Sequence, residues 1–160
     1  NVFKKADLTD SAGTASLMMS KKGAVTLLKK GSIGASVSAV AAFAAQLDPN
    51  IEEISDIKTA VSEAVTNCIV HAYAEKVGKI YIRASIYENS VFRVKIKDKG
   101  CGIEDVEKAR EPLYTSVGGD RSGLGFSVME SFSDKLWVRS KVGTGTTVTM
   151  EKRISGKKYE

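Results

Sequence analysis

Apolar and polar positions along this chain follow two different periods, which predict a domain that mixes helices with strands. A helical spacing of apolar residues predicts a first helix over 36–47. Asn50 can cap a second helix with Glu53 as its capping-box partner, and the apolar stripe then continues to about residue 73. Two shorter helices are predicted near 104–109 and over 124–132.

Strict alternation of apolar and polar residues predicts four strands in the second half of the chain. Residues 80–86 and 92–97 form a hairpin around the turn 88–90, and residues 135–140 and 146–152 form a second pair. The segment 1–35 is poorly patterned. A weak strand fits 24–28, and a flexible extension fits the segment equally well.

Composition indicates an ordinary globular domain of 160 residues, 42% hydrophobic and 27% charged. No stretch approaches a membrane span, and no secretory signal is visible. Cys68 and Cys101 do not form a C-x-x-C pair, and one histidine cannot complete a zinc site. We therefore expect a cytoplasmic protein with a main domain over 36–153 and a flexible tail over 154–160.

The net charge of +5 fits nucleic acid, an acidic protein partner or the phosphates of a nucleotide. No basic helix or interleaved aromatic stripe indicates nucleic acid, so direct binding to it is not expected.

Glu63 and Asn67 lie one helical turn apart at the edge of the apolar stripe of the second helix. A carboxylate beside an amide suits a hard cation and a hydroxyl nucleophile. An ordinary solvated helix edge would look the same, and this pair alone does not separate the two interpretations.

Asp98 keeps the phase of the inward residues of its strand, so its carboxylate should point toward the core and need a partner. It is either a turn aspartate in Asp98-Lys99-Gly100 or an acceptor for a ligand in a cleft. Gly100 and Gly102 would let the backbone approach that ligand closely.

The stretch 111–122 lacks periodicity and is long enough for a mobile lid. It leads into Arg121 and the pair Gly123 and Gly125, which open the next predicted helix. Glycine N–H groups at a helix start, with a nearby arginine, suit a phosphate, although an ordinary helix cap is more common.

The order of these motifs is more specific than any one of them. Glu63-x-x-x-Asn67, Asp98-x-Gly100-x-Gly102, Gly123-x-Gly125 and Gly143-x-Gly145-Thr146 together resemble the Bergerat ATP-binding fold of gyrase, Hsp90, histidine kinases and MutL. Residues 41–49, 62–67 and 121–126 are closely similar to the sporulation anti-sigma F factors (stage II sporulation protein AB), a family that is also a serine protein kinase. The resemblance covers about 40–153.

This resemblance implies an α+β fold, a two-layer sandwich whose mixed, mostly antiparallel sheet is covered on one face by helices. It also implies ATP or ADP with Mg²⁺ as ligands. Asp98 would accept a hydrogen bond from the adenine amino group, with Thr146 nearby, and Gly100 and Gly102 would shape the pocket wall.

The remaining roles implied by the resemblance concern the phosphates and the transfer step. Asn67 would hold Mg²⁺, and Glu63 would be the general base for a serine hydroxyl. Thr115 and Ser116 would belong to the lid. The groups expected at the β- and γ-phosphates are Arg121 and the N–H groups of Gly123, Leu124, Gly125 and Phe126.

The implied partners are a sigma factor of the sigma F type and an anti-anti-sigma factor as the phosphorylation substrate, with the chain acting as a homodimer. A non-catalytic, nucleotide-gated binding module and a stress-response anti-sigma kinase are the alternatives. A phosphorylation assay distinguishes the non-catalytic module from a kinase. The identity of the partner distinguishes a stress-response kinase from a sporulation kinase. The stretch Ala35-Ser36-Val37 lacks an arginine that the family carries at the start of its first helix.

Overall fold

Seven strands and four α-helices occur in the part of the chain that the computed structural model describes, residues 4–10, 13–20, 23–28, 33–74, 78–112 and 125–156. The strands are β1 Lys4–Asp10, β2 Gly13–Ser20, β3 Gly23–Leu28, β4 Ile80–Tyr87, β5 Val91–Asp98, β6 Lys135–Lys141 and β7 Gly145–Arg153. The α-helices are α1 Ile33–Ala44, α2 Ile51–Asn67, α3 Val106–Arg110 and α4 Gly125–Ser131.

The strands form one sheet in the order β1-β2-β3-β4-β5-β7-β6. Every pairing between the described strands is antiparallel, so the α+β fold is confirmed while the expected mixed sheet is antiparallel here. The last strand, β7, lies between β5 and β6. The predicted weak strand at 24–28 is β3, and two further strands precede it where the sequence predicted at most one edge strand.

One face of the sheet carries the core. Strand residues that alternate inward meet α1 and α2, and the rings of Phe43 and Phe92 lie 6.4 Å apart at this interface. The most deeply buried strand residues are Ile80, Ile82, Ala84, Phe92, Val94, Ile96, Val148 and Met150. Helices therefore cover this face, as the alternation predicts.

The helix predicted over 36–47 begins earlier, at Ile33, and ends in a 3₁₀ turn, Ala45–Leu47. None of the helices in the described ranges has the length and apolar character needed to cross a membrane.

The predicted capping box at the start of α2 is confirmed. The Asn50 side chain accepts a hydrogen bond from Glu53 N at 2.8 Å, and the Glu53 carboxylate accepts one from Asn50 N at 2.9 Å. These two bonds satisfy two backbone donors that the first turn of a helix leaves unpaired.

Glu53 also binds the residues that follow β7. Its Oε1 accepts hydrogen bonds from Ser155 N at 2.6 Å and from Ser155 Oγ at 2.5 Å, and its Oε2 accepts one from Gly156 N at 3.3 Å. Ile154 is buried in the core. Residues 154–156 of the predicted flexible tail are thus held, because Ile154 is buried and the Glu53 carboxylate binds Ser155 and Gly156. Residues 157–160 lie outside the described residues.

The pKa of Glu53 lies below its ordinary value of 4.5. Burial alone would raise it, but hydrogen bonds from Ser155 Oγ and from the backbone N–H groups of Asn50, Ser155 and Gly156 outweigh burial. The ionised form therefore stabilises the fold, and this stabilisation is complete above the ordinary pKa and disappears as pH falls through the lower folded-state pKa.

We expect Glu53→Gln to lower the free energy of unfolding by about 1–3 kcal/mol at neutral pH, because it places an amide against buried N–H donors. Glu52→Gln removes the same charge from an exposed neighbour in the same turn and should cost under about 0.5 kcal/mol. Chemical denaturation from neutral to acid pH measures both. The Glu53 difference should shrink below pH 4.5, and equal losses in the two variants would contradict the assignment.

Candidate functional site

Asp98 ends β5 with a carboxylate that points into the core side, as its phase in the strand predicts, and the residue is only 3% exposed. Its Oδ1 accepts hydrogen bonds from Gly100 N at 2.9 Å and from Thr146 N at 3.1 Å. Its Oδ2 accepts one from Cys68 Sγ at 3.5 Å. Asp98 is therefore a turn aspartate through Oδ1 and an inward-facing acceptor through Oδ2.

The two carboxylate oxygens differ in what they can still accept. Oδ1 already receives two backbone N–H groups, whereas the donor that reaches Oδ2 among the described residues is a thiol, a weak donor. Burial raises the pKa of Cys68 well above its usual range, and the negative charge of Asp98 adds to this, so the thiol keeps its proton. Oδ2 therefore retains capacity for a stronger donor from a ligand.

A π-helical segment, Cys68–Ala72, follows α2 directly and places Cys68 against Asp98. Tyr73 N donates to Cys68 O at 3.1 Å, the hydrogen bond of this wider turn, and Cys101 N donates to Ala72 O at 2.9 Å. Such segments are rare in proteins, and those that occur are often found at functional sites. The sequence predicted one regular helix to about residue 73 and missed this change of geometry.

The predicted glycines allow close approach, and among the described residues they approach other backbone segments of the same chain. A Cβ on Gly100 would lie 2.2 Å from Ala72 O, and one on Gly145 would lie 2.3 Å from Asp98 O. These contacts pack the end of β5 against the π-helical segment and the start of β7. Gly100 and Gly145 thus hold Asp98 in place by letting three backbone segments meet.

Ser140 is a site residue that sequence reasoning missed. Its Oγ accepts a hydrogen bond from Ile103 N at 2.7 Å and lies 2.7 Å from Thr146 Oγ1. The same Oγ donates to Gly145 O at 3.2 Å in the alternative orientation of its single proton. Ser140 therefore ties the loop after Gly102 to buried Thr146, and the cross-strand position opposite Thr146 was the available sequence signal.

Asn67 ends α2 beside the start of α4. A Cβ on Gly125 would lie 3.1 Å from both Oδ1 and Nδ2 of Asn67, so the amide contacts the backbone there. Phe126 packs against the core and fixes this end of α4. The next residue after Asn67 is Cys68, whose thiol contacts Asp98, so one residue of the chain separates this amide from a direct contact of the Asp98 carboxylate.

Glu63 lies one turn before Asn67 and is half-buried. No hydrogen bond or ion pair links its carboxylate to another residue of the described ranges. The other predicted residues, Thr115, Ser116, Arg121, Gly123 and Leu124, lie outside the described residues. The structure thus brings together Asn67, Asp98, Gly100, Gly102, Gly125 and Thr146, with Cys68 and Ser140 added.

Among the described residues, no group of three His, Cys, Asp or Glu side chains could hold a metal ion by itself. A Mg²⁺ ion does not need such a group, because it commonly binds through one or two protein ligands, waters and substrate phosphates. The amide oxygen of Asn67 fits that kind of site.

Comparison with known proteins identifies relatives in sequence and in structure. Residues 28–152 match the family described as histidine kinase-like ATPase domain. An "Anti-sigma F factor" from Caldanaerobacter subterraneus subsp. tengcongensis is 60% identical over 116 residues, which cover 72% of this chain and 80% of the relative. One from a Thermoanaerobacter species is 57% identical over 120 residues, which cover 74% of this chain and 83% of the relative.

A solved structure shares the fold. The histidine kinase domain of the Erythrobacter litoralis blue-light activated histidine kinase superposes with a TM-score of 0.54 at 25% identity. The match covers 77% of this chain and 61% of that one. The fold described above is therefore that of a histidine kinase-like ATPase domain.

Two glycines with nearly the same φ provide a matched test of the packing at this site. A Cβ on Gly102, at φ +76°, would lie 2.3 Å from Lys141 O, whereas one on Gly143, at φ +77°, meets nothing within 4 Å. Each Ala variant should lose about 1–2 kcal/mol of unfolding free energy from the left-handed backbone. Gly102→Ala should lose about 1–3 kcal/mol more from the clash. Urea denaturation measures both, and equal losses would show that the close approach is unimportant.

Proposed function

We infer the function of this chain from its family, because it belongs to the histidine kinase-like ATPase domain family and, within it, to the anti-sigma F factors. We propose that it binds ATP or ADP, inhibits a sporulation sigma factor of the sigma F type, and phosphorylates a serine of an anti-anti-sigma antagonist. The observation that carries the nucleotide part is the buried Asp98 carboxylate, which keeps one acceptor oxygen beside the Asn67 end of α2.

Adenine recognition would depend on the Asp98 carboxylate, and its hydrogen bonds support this role. The exocyclic amino group of adenine is a stronger donor than the Cys68 thiol and would use the remaining acceptor capacity of Oδ2. A guanine would present a carbonyl oxygen there, and two acceptors repel each other. Thr146, held by Ser140, can direct its hydroxyl proton toward a ring nitrogen when Ser140 donates to it.

Phosphate binding would follow from the contact between Asn67 and the start of α4. The Asn67 amide oxygen would bind Mg²⁺, which neutralises the charge that develops on the phosphates. Arg121 and the N–H groups of Gly123, Leu124, Gly125 and Phe126 would hold the β- and γ-phosphates. The contact of Asn67 with Gly125 supports this arrangement because it brings the two groups of ligands together.

Glu63 would supply the base for transfer. Its carboxylate would take the proton of the serine hydroxyl while the serine oxygen bonds to the γ-phosphorus of ATP. The bond between that phosphorus and the bridging oxygen breaks, and ADP leaves with the electron pair. The half-buried position of Glu63, one turn from Asn67 on the same rigid helix, supports this role.

The regulatory part of the proposal concerns two protein partners. The nucleotide-bound chain, as a homodimer in the cytoplasm, would capture the sigma factor, and the antagonist would displace it until phosphorylation inactivates the antagonist. A chain that captured the sigma factor in a nucleotide-dependent way without transferring phosphate would instead be the non-catalytic module. Incubation with labelled ATP, Mg²⁺ and a candidate anti-anti-sigma protein separates these functions.

Glu63→Gln should retain ATP binding and lower the rate of phosphate transfer about 10²- to 10⁴-fold, because the amide cannot accept the serine proton. Glu52→Gln, which removes a carboxylate from the exposed first turn of the same helix, should transfer at the wild-type rate. Single-turnover labelling with bound ATP measures the step directly. Undiminished transfer by Glu63→Gln would exclude Glu63 as the base.

Asp98→Asn should weaken ATP binding by about 1–3 kcal/mol. The amide oxygen can replace Oδ1 and keep the N–H groups of Gly100 and Thr146, while the amide nitrogen replaces Oδ2 and faces the adenine amino group donor to donor. Calorimetric titration with ATP and GTP, with thermal unfolding as the folding control, tests this. Equal affinity of the wild type for the two nucleotides would contradict the assignment.

A further inference from the structure

The face of the sheet opposite the helices is unusually basic. We define the basic face as the outward positions of β4, β5, β7 and β6, which alternate with the core residues and are aligned by the strand register. One row across it is Arg83, Lys95, Thr149 and Trp137, and the next is Tyr81, Lys97, Thr147 and Arg139.

The net positive charge of this face is larger than that of the whole chain. Its basic residues are Arg83, Arg93, Lys95, Lys97, Lys135, Arg139, Lys141 and Arg153, and its acidic residue is Glu151. Eight positive charges and one negative charge give +7, against +5 for all 160 residues, so the rest of the chain is net acidic. Three more acidic residues adjoin these strands in sequence: Asp98 points toward the core, and Glu88 and Asp134 lie in turns at one end of the strands.

The sheet does not neutralise these charges internally. Arg93 pairs with Glu151, and within the described ranges this is the ion pair that involves the basic face. Arg83 and Lys95 are exposed and lie directly opposite each other on β4 and β5. Like charges at such positions destabilise a sheet, so this arrangement weakens the fold unless an anionic partner compensates it.

The aromatic side chains of the face are half exposed, yet their rings already contact cations. The Arg93 guanidinium lies 4.6 Å from the Tyr87 ring centroid and 6.0 Å from that of Trp137. Lys99 lies 5.3 Å from that of Tyr81. Single-stranded nucleic acid is held by bases stacked on free aromatic faces, which these contacts oppose. Exposed aromatic residues around an arginine, with lysines at the margin, are typical of protein interfaces.

We propose that the basic face, centred on Arg83, Lys95 and Trp137, is a docking surface for an acidic polypeptide segment. A second copy of the chain is not the expected occupant, because two surfaces of charge +7 would repel each other. The site is separate from the nucleotide chemistry proposed above, since Lys97 and Thr147 point outward where their neighbours Asp98 and Thr146 point inward. The surface was missed in the sequence because its rows join residues from four strands.

Trp137 is the single tryptophan of the chain and lies on this face with 42% of its surface exposed, so its fluorescence reports on the face selectively. We expect an oligo-glutamate peptide to change this fluorescence in a saturable way, with an affinity that falls as ionic strength rises. Failure of the peptide to produce a saturable change at low salt would overturn the proposal.

Lys95→Glu should weaken peptide binding about tenfold at low salt, and its carboxylate can pair with Arg83, so the fold should be retained. Lys58→Glu makes the same charge change at an exposed lysine of α2 and should weaken binding less than about twofold. Equal losses would indicate attraction to net charge alone and overturn the proposal. Tighter binding of an oligo-thymidylate of equal charge, or a fluorescence change with protein concentration alone, would overturn it in favour of nucleic acid or a second copy.

Discussion

A single buried carboxylate joins three parts of this fold. Asp98 ends β5, receives the N–H of Thr146 from β7, and receives the thiol of Cys68 from the segment that follows α2. A carboxylate in a buried position is costly unless it accepts hydrogen bonds, and here Oδ1 accepts backbone N–H groups from the loop after β5 and from β7. The position of the Asp98 carboxylate is therefore fixed by the chain itself, and Oδ2 keeps the acceptor capacity that remains.

Because side chains alternate between the two faces of a sheet, neighbouring residues of β5 and β7 belong to two different sites. Asp98 and Thr146 face the helices, whereas Lys97 and Thr147 face the opposite side of the same strands. The inward positions between the two ends of these strands are apolar, and the outward positions of β5 and β7 carry the basic residues Arg93, Lys95, Lys97 and Arg153. The neighbouring strands β5 and β7 thus support both the buried Asp98 site and a charged exterior.

The features that could be predicted from the sequence are those for which periodicity and local chemistry agree. Asn50 and Glu53 form the expected capping box, and Asp98 points inward because strand parity fixes its direction. The π-helical segment could not be predicted, because it ends the helix, and no further turns follow in which its wider turn would shift the apolar period. Ser140 was missed because its partners come from another strand and a loop, and therefore depend on register. The strands before β3 were missed because their stretch is rich in small and polar residues.

The position of β7 has a consequence for how this domain is made. Because β7 follows β6 in the chain yet lies between β5 and β6, β6 has no partner and β5 is paired only with β4 until residues 145–153 have been synthesised. The bonds from Ser155 to Glu53 connect residues 102 positions apart and form later still. During translation, β5 is therefore an open edge of the sheet and β6 is unpaired until β7 is made. Completion of this side of the sheet is a late, long-range step. Such steps are slow and leave strand edges exposed, which favours protection by chaperones.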